Sequence, residues 1–156
     1  MTDKMIAVDA ASVAPRTKPS LYPPVFAARV NGRVKRQLGD LFGLRNFGVN
    51  YTVIAPGAIS ALHHAHTTQD EFVYVLEGEV TLFVGDRSEV LKAGMCAGFP
   101  AGGEPHHLEN HSGARAVYLE VGDRDGNDNV HYPNDDLMAQ RVNGGWRFTH
   151  KDGSDY

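Results

Sequence analysis

The fold is decided by residues 56–78, which read Pro56-Gly-Ala-Ile-Ser-Ala-Leu-His-His-Ala-His-Thr-Thr-Gln-Asp-Glu-Phe-Val-Tyr-Val-Leu-Glu-Gly78. Three histidines crowd into four positions, and a carboxylate, Glu71, follows them. Alternate side chains of an extended chain share a face, so His64 and His66 point to one side and His63 to the other. Two imidazoles on one face can supply two of the ligands of a metal site. Glu71 follows a polar stretch suited to a turn. If the chain reverses there, Glu71 would lie on a neighbouring strand and could be a third ligand.

A second pair of histidines follows further along the chain, behind a loop rich in glycine and proline. His106 and Asn110 are separated by an even number of positions, so they share one strand face, while His107 lies on the other. One histidine of this pair can therefore reach the first cluster. Spacing alone leaves both His106 and His107 open as that residue.

Taken together, these residues resemble the two motifs of the cupin superfamily. The first motif is a glycine, a His-x-His pair, a glutamate and a second glycine, and the second is a glycine, a Pro-x-Gly turn, a histidine and an asparagine. The matching residues are Gly57, His64, His66, Glu71 and Gly78 in the first motif and Gly94, Pro100, Gly102, His106 and Asn110 in the second. The resemblance extends over most of the chain, to small single-domain bacterial cupins loosely described as sugar-phosphate-isomerase-like.

Two spacings depart from the usual motifs. The distance from Gly57 fits His63 better than His64, but Ala65 stands two positions after His63, where the pair needs its second histidine. We therefore assign the pair to His64 and His66. The histidine of the second motif likewise falls one residue late after the Pro-x-Gly turn.

The resemblance implies an all-β protein, a double-stranded β-helix or jelly-roll barrel, in which three histidines and one glutamate hold a divalent metal. The implied ligands are His64, His66, Glu71 and His106, with His107 as the alternative for the last. Imidazole suits Zn, Fe and Ni, and a carboxylate widens the choice to Mn, so the identity of the metal is open. Four protein ligands leave two positions free on a six-coordinate ion, whereas a tetrahedral zinc would be closed and structural.

The remaining chain consists of short apolar runs separated by turn residues, a pattern typical of an all-β sandwich or barrel. We divide it into an N-terminal arm over residues 1–24, a barrel over residues 25–122 and a C-terminal tail over residues 123–156 that packs on the barrel, all in one domain. The arm contains several prolines and is expected to be irregular. The tail is expected to form a short helix over residues 135–140 and a hairpin around residues 143–145.

Two local patterns in the barrel give specific predictions. The apolar run over residues 25–30, followed by a turn at Gly32, predicts a strand. Residues 71–76 and residues 79–84 are separated by a Glu-Gly pair ending at Gly78, which predicts a hairpin.

Composition argues against several classes of function. The 156 residues are 42% hydrophobic and 22% charged, as in an ordinary globular domain. A net charge of −4 and the lack of a Lys/Arg block argue against nucleic acid and anionic membranes as partners. The single cysteine, Cys96, allows no internal disulfide, and residues 1–13 lack the apolar segment of a signal peptide, so a cytoplasmic location is expected. Small and apolar neighbours predict that Cys96 is buried.

One strand pattern predicts self-association. Phe72, Tyr74 and Leu76 alternate with Val73 and Val75, so both faces of this strand are apolar. One face would pack into the barrel and the other against a partner subunit. We therefore expect a homodimer.

The expected function is that of a metal-dependent enzyme acting on a small, oxygen-rich molecule such as a sugar, sugar phosphate or organic acid. A Lewis-acidic metal would stabilise an oxyanion, which suits isomerisation. An Fe- or Mn-dependent dioxygenase and a non-catalytic ligand-binding module are the alternatives. The sequence assigns no catalytic residue, and four candidates for an acid or base flank the predicted barrel mouth, namely Tyr51, Tyr118, Glu104 and His107.

Overall fold

The protein is described by a computed structural model that covers residues 5–18 and 20–156. Within these residues the chain forms twelve strands and only short helical turns. The strands are β1 Arg33–Gln37, β2 Phe47–Ile54, β3 Ala65–His66, β4 Glu71–Glu77, β5 Glu79–Val84, β6 Arg87–Lys92, β7 Cys96–Phe99, β8 His106–Glu109, β9 Ala116–Asp123, β10 Asn129–His131, β11 Met138–Val142 and β12 Gly145–Thr149. The helices are α1 Pro24–Ala27 and α2 Leu38–Leu41, with 3₁₀ turns at Ala10–Ser12 and Ala28–Val30.

The strands lie in three hydrogen-bonded sheets whose neighbouring strands are antiparallel. One sheet has the order β1-β2-β9-β4-β7, the second β12-β11-β10-β3 and the third β6-β5-β8. An isolated bridge between His64 and His106 connects the second sheet to the third, because His64 immediately precedes β3 and His106 begins β8. The two connected sheets face the five-stranded sheet, and the prediction of an all-β double-stranded β-helix is confirmed.

Two apolar clusters hold these layers together. The larger fills the barrel interior and contains Ile54, Val75 and Leu108 among its buried side chains. The smaller lies beneath the C-terminal strands and includes Leu62 and Leu137. Each fully buried side chain of this size stabilises the fold by about 1.5–3 kcal/mol relative to its exposed state. The C-terminal strands are therefore anchored by a core of their own.

The strand predicted for residues 25–30 is wrong. The chain forms α1 and a 3₁₀ turn there, and β1 follows and pairs with β2 instead. Pro24 stands at the start of α1, where a helix tolerates its missing N–H. Phe26 and Val30 are both buried and lie four positions apart, which is the helical period.

The hairpin predicted around Gly78 is also wrong. Strand β4 pairs with β7 and β9, whereas β5 pairs with β6 and β8, so the chain crosses from one sheet to another at Gly78. Gly78 has a φ of 72°, and a Cβ on it would lie 2.8 Å from the carbonyl oxygen of Arg115. Gly78 thus allows two backbone segments to approach closely where the chain crosses between sheets, and it does not form a hairpin turn.

The short helix predicted over residues 135–140 is wrong, whereas the terminal hairpin is confirmed. Leu137 and Ala139 are buried and Gln140 is exposed, which is the two-residue alternation of a strand. They enter or border β11, which pairs with β10 on one side and with β12 on the other. The turn between β11 and β12 places Asn143 at a φ of 50°.

The N-terminal arm is irregular in its described part, apart from the 3₁₀ turn at Ala10–Ser12. Residues 1–4 and Pro19, which belong to the predicted arm, lie outside the described residues. The arm is attached to the barrel where the N–H of Arg16 donates a 2.9 Å hydrogen bond to the carbonyl oxygen of Lys35.

In the part of the chain that the structure covers, no helix has the length and apolar character required to cross a membrane.

The outward face of the five-stranded sheet carries the apolar side chains of β4. Phe72, Tyr74 and Leu76 are 41%, 39% and 42% exposed, whereas Val73 on the opposite face is buried. Cys96 lies opposite Tyr74 in the register and is exposed, so the prediction of a buried thiol is wrong. Cys96 lies on the outer face of the sheet, beside Tyr74. Its small and apolar neighbours in sequence do not reveal which face of the sheet it occupies.

The homodimer stays a prediction, and this outward face is the surface through which we expect it to form. Light scattering at micromolar concentration should give twice the 17.0 kDa of one chain. Tyr74→Glu should shift the protein towards the monomer, because a charge would be buried in the contact. Val90→Glu, a matched change at an exposed residue of β6, should not. A monomeric wild-type protein would rule out the dimer.

Candidate metal centre

Four side chains from separate parts of the chain converge on one point. The Nε2 atoms of His64 and His66 each lie 3.4 Å from Oε2 of Glu71, and Nε2 of His106 lies 3.0 Å from the same oxygen. His66 belongs to β3, Glu71 to β4 and His106 to β8. His64 is joined to His106 by two backbone hydrogen bonds of 2.8 and 3.2 Å. Three imidazole nitrogens and one carboxylate oxygen are thus brought together by both motifs.

The histidine rings are held in fixed orientations by contacts on their other sides. Nδ1 of His64 lies 2.8 Å from the carbonyl oxygen of Leu62, which can only accept a hydrogen bond. Nδ1 therefore carries a proton, and Nε2 is the ring nitrogen directed at Glu71. The ring of His106 stacks on Phe99 with a centroid distance of 3.6 Å and an interplanar angle of 3°.

The donor set fits a divalent metal. His64, His66 and Glu71 each offer a ligand atom, and these atoms lie within 4.8 Å of one another. His106 is in contact with the same carboxylate. Neutral imidazoles with one carboxylate are ligands for divalent Zn, Fe, Mn or Ni, and the residues alone do not select among these ions.

The electrostatics of the cluster favour an ionised carboxylate. Burial works to raise the pKa of Glu71, but hydrogen bonds from His106 and His64 outweigh it and hold that pKa well below its ordinary value. Burial lowers the pKa of His106, and the contact with Glu71 only partly opposes this. Burial also acts to lower the pKa of His64, but its bond to Glu71 raises it overall. Glu71 is thus an anion at neutral pH, ready to bind a cation.

His107 points away from this cluster. Its Nδ1 lies 2.9 Å from Nδ1 of His63, its Nε2 lies 2.8 Å from Oε1 of Glu109, and its ring stacks on Phe83 at 4.9 Å. The structure therefore brings His106, and not His107, to the other three side chains. His63 lies with His107 on the opposite side of β8. The alternation of side chains along an extended chain had also excluded His63 from the ligand set.

Asp128 is the residue of the site that sequence reasoning missed. Its carboxylate is fully buried and accepts N–H groups from Thr67 at 3.0 Å, Thr68 at 2.9 Å and Gln69 at 3.3 Å. Its other oxygen lies 2.5 Å from Nδ1 of His66 and orients that ring. The sequence shows Asp128 only as the end of a polar loop. Its role depends on the pairing of β10 with β3, which brings the tail beside the first histidine cluster.

The cluster lies at the wall of a cavity of about 610 Å³. An ion pair stands in the same wall, with Nζ of Lys35 2.5 Å from Oε1 of Glu120, and Asn50 donates a 3.0 Å hydrogen bond to that oxygen. Burial lowers the pKa of Lys35, although Glu120 opposes this. Lys35 and His64 line the same cavity, and the charge of Lys35 acts to lower the pKa of His64.

Aromatic side chains from both ends of the chain line the same cavity. Tyr22 comes from the arm, and Tyr132 and Trp146 come from the tail. The Tyr132 ring stacks against His64 at 6.1 Å, and the Trp146 ring lies edge-on to His66 at 6.2 Å. The tail thus covers part of the metal centre.

The other sequence candidates for an acid or base do not line this cavity. Tyr51 is on the outer face of β2, where its ring lies 5.9 Å from the guanidinium of Arg36. Tyr118 is fully buried, and burial raises its pKa well above the ordinary value. Glu104 is exposed and pairs with Arg87 at 2.5 Å. The sequence analysis did not identify Lys35 and Glu120, which form an ion pair in the cavity wall.

Replacing Asp128 with Asn should weaken both the fold and the metal centre. An amide would present an N–H group to Nδ1 of His66, and we expect a loss of about 1–3 kcal/mol in the free energy of unfolding of the chelated protein at pH 7. Metal affinity should fall about 10–100-fold. Urea unfolding and metal titration measure the two effects, with Asp86→Asn in an exposed turn as the control.

The pH dependence of the same variant gives the sign of the effect. Burial tends to raise the pKa of Asp128, but hydrogen bonds from Thr68 and His66 lower it overall. The stabilisation is therefore present above the unfolded pKa, near ~3.9, and is lost as the pH falls through the lower folded value. The stability gap between wild type and Asp128→Asn should close below about pH 4. An equal gap at all pH values would contradict this role of Asp128.

Comparison with known proteins gives the family to which these features belong. The family described as Cupin domain matches residues 50–122. A structure from Silicibacter pomeroyi, described as a sugar phosphate isomerase from a cupin superfamily, is 39% identical, with 96% of each chain covered and a TM-score of 0.89. A protein of Acidithiobacillus ferrooxidans, given provisionally as a sugar phosphate isomerase, is 30% identical, with 87% of this chain and 95% of that chain covered and a TM-score of 0.73.

A more distant structure shares the fold alone. The polyketide cyclase RemF of Streptomyces resistomycificus is 23% identical over 78% of this chain and 80% of its own, with a TM-score of 0.64. The search of curated proteins found no match.

Proposed function

The chain belongs to the cupin superfamily, and we propose that within it the protein is a metal-dependent enzyme of the isomerase type acting on a small, oxygen-rich substrate. The observation that carries this proposal is the convergence of His64, His66, His106 and Glu71 at the wall of a cavity large enough for a small molecule. The sequence similarity to two proteins described as sugar phosphate isomerases supports the same class of reaction.

The metal would be held by the three imidazoles and the carboxylate of this cluster. A bound divalent ion supplies Lewis acidity, which polarises a carbonyl or hydroxyl oxygen of the substrate. Asp128 and the carbonyl oxygen of Leu62 keep the rings of His66 and His64 in the orientation that such binding needs. These contacts reduce the reorganisation that binding would otherwise require.

The residues placed to move a proton are Glu120 and Lys35. Sugar isomerisation removes a proton from one carbon and returns it to the neighbouring one, while the hydroxyl and carbonyl oxygens exchange a proton. A carboxylate and an ammonium group side by side in the cavity wall can serve as base and acid for these transfers. The lowered pKa of Lys35 brings it closer to the range in which it exchanges protons at neutral pH.

The remaining cavity wall fits a polar substrate with a limited apolar surface. Tyr22 and Trp146 present ring surfaces, while Asn50, Gln69 and Arg33 present groups that form hydrogen bonds. Because the aromatic side chains displace water from part of the wall, charged and polar contacts inside the cavity are strengthened.

The experiment combines metal analysis with a proton-transfer assay. Purified wild-type protein should contain a stoichiometric divalent metal, and the double variant His64→Ala/His66→Ala should contain none. Sugars, sugar phosphates and hydroxy acids in D₂O, followed by proton NMR, should reveal the substrate through aldose–ketose conversion and deuterium uptake. Glu120→Gln should keep its metal and lower kcat by about 10²–10⁴-fold. Glu89→Gln, an exposed change on β6, is the control.

Other outcomes point to the competing functions. Oxygen consumption without isomerisation would indicate a dioxygenase. Ligand-dependent stabilisation without turnover would indicate a binding module. If removal of the metal lowers the melting temperature, and no ligand changes the melting temperature of either the metal-bound or the metal-free protein, the metal is a structural ion. Full metal retention in the double variant would contradict the proposed centre itself.

A further inference from the structure

A second group of histidines lies on the outer side of β8. His107 and Glu109 are two positions apart on this strand, and their side chains share the face opposite to that of the buried His106. His63, from the segment before β3, contacts His107, and His111, from the loop after β8, contacts Glu109. Three histidines and one carboxylate are thus gathered on the far side of β8 from the metal centre.

His63 and His107 approach each other through the same ring nitrogen. Their Nδ1 atoms lie 2.9 Å apart, and the two rings stand at 87° with their centroids 5.0 Å apart. Two imidazole nitrogens bound to one ion at about 2.0–2.1 Å would be about 2.9 Å apart at a right angle and about 3.3–3.4 Å apart at the tetrahedral angle. The observed distance therefore fits two neighbouring positions of a square-planar or octahedral ion.

His107 is held in place by two contacts. Its Nε2 lies 2.8 Å from Oε1 of Glu109, and its ring stacks on Phe83 with an interplanar angle of 11°. The metal centre uses the same two kinds of support, since a carboxylate orients His66 and a phenylalanine ring stacks on His106. The ring of His107 is therefore fixed before any ion binds.

The contact with Glu109 determines which nitrogen of His107 is free to bind an ion. An ionised carboxylate can only accept hydrogen bonds, so Nε2 of His107 donates to Glu109. In the neutral form of the ring the lone pair is then on Nδ1, which is the atom that faces His63. Metal-binding histidines in proteins commonly have this arrangement, with the other ring nitrogen donating to a carboxylate.

We propose that His63 and His107 bind a second divalent transition-metal ion through their Nδ1 atoms, on the side of β8 opposite the metal centre. Cu²⁺ and Ni²⁺ fit this site best, because they accept nitrogen ligands at right angles, and Cu²⁺ binds such ligands most tightly. Water would complete the coordination. Glu109 is a positioning residue, which acts on the ion through His107. The site shares no ligand with the metal centre, so the proposal goes beyond the proposed function.

Copper binding tests the site by electron paramagnetic resonance. Full-length protein whose metal centre is filled with Zn²⁺ is titrated with Cu²⁺ at neutral pH, and spin-echo modulation counts the coordinated imidazoles. Wild-type protein should bind one Cu²⁺ through two imidazoles. His63→Gln and His107→Gln should each leave a single imidazole and raise the Kd for Cu²⁺ by about tenfold or more, which is the least that loss of a ligand should cost.

Two changes at Glu109 test its positioning role. Glu109→Ala should raise the Kd for Cu²⁺ by about 10–100-fold, because His107 loses the group that orients its ring, while both imidazoles stay coordinated. Glu109→Gln keeps a side-chain oxygen that accepts the hydrogen bond from Nε2, and it should recover part of that affinity. Equal Kd values in wild type and Glu109→Ala would contradict the role of Glu109.

His131→Gln is the matched control, because it removes an exposed histidine of β10 that belongs to neither site. It should leave the Kd and the number of imidazoles unchanged, and circular dichroism checks that every variant is folded. Unchanged Cu²⁺ affinity in both His63→Gln and His107→Gln would overturn the proposal. A single imidazole in the wild-type spectrum, or an equal loss of affinity in His131→Gln, would also overturn it.

The double variant His64→Ala/His66→Ala separates this site from the proposed function. Cu²⁺ should still bind there through two imidazoles, and adding His107→Gln should remove one of them. If the double variant no longer binds Cu²⁺ through two imidazoles, the copper belongs to the metal centre and the second site is refuted. Absence of isomerase activity in a protein that binds Cu²⁺ through His63 and His107 would refute only the proposed function.

Discussion

The backbone bridge between His64 and His106 is the contact on which the metal centre depends. Its two hydrogen bonds join a loop before β3 to the start of β8, and so bring together two histidines that are far apart in sequence. Because neighbouring side chains at such a bridge extend in the same direction, both imidazoles reach one carboxylate, that of Glu71. The bridge also connects two of the three sheets, so the contact that forms the site helps to form the barrel.

The C-terminal tail supplies further residues that surround the metal centre. Strand β10 pairs with β3, and Asp128, immediately before β10, is thereby placed against His66. The same segment supplies Tyr132 and Trp146 to the cavity wall. The tail therefore contributes a buried carboxylate, an apolar core and part of the substrate wall. A function that needs a shielded, rigid metal centre would depend on all three.

Sequence predicted the metal cluster better than the path of the chain around it. The parity of His64 and His66 depends only on local strand geometry, so this pair could be inferred without the fold, whereas the spacing of the second motif left His106 and His107 as alternatives. Residues 25–30 and 135–140 could not, since their apolar residues fit more than one period until a tertiary neighbour selects one. Asp128 and the Lys35 and Glu120 pair were equally hidden, because each acquires its role from a residue distant in sequence.

The central claim, that His64, His66, Glu71 and His106 together hold a divalent metal beside a substrate cavity, is tested most directly by X-ray absorption at the edge of the metal in the native protein. We predict a first shell of three imidazole nitrogens and a carboxylate oxygen at about 2.0–2.2 Å, with additional oxygen from water and no sulfur. The shell should gain scattering from an added substrate. A shell containing sulfur from Cys96, or fewer than two imidazoles, would contradict the account.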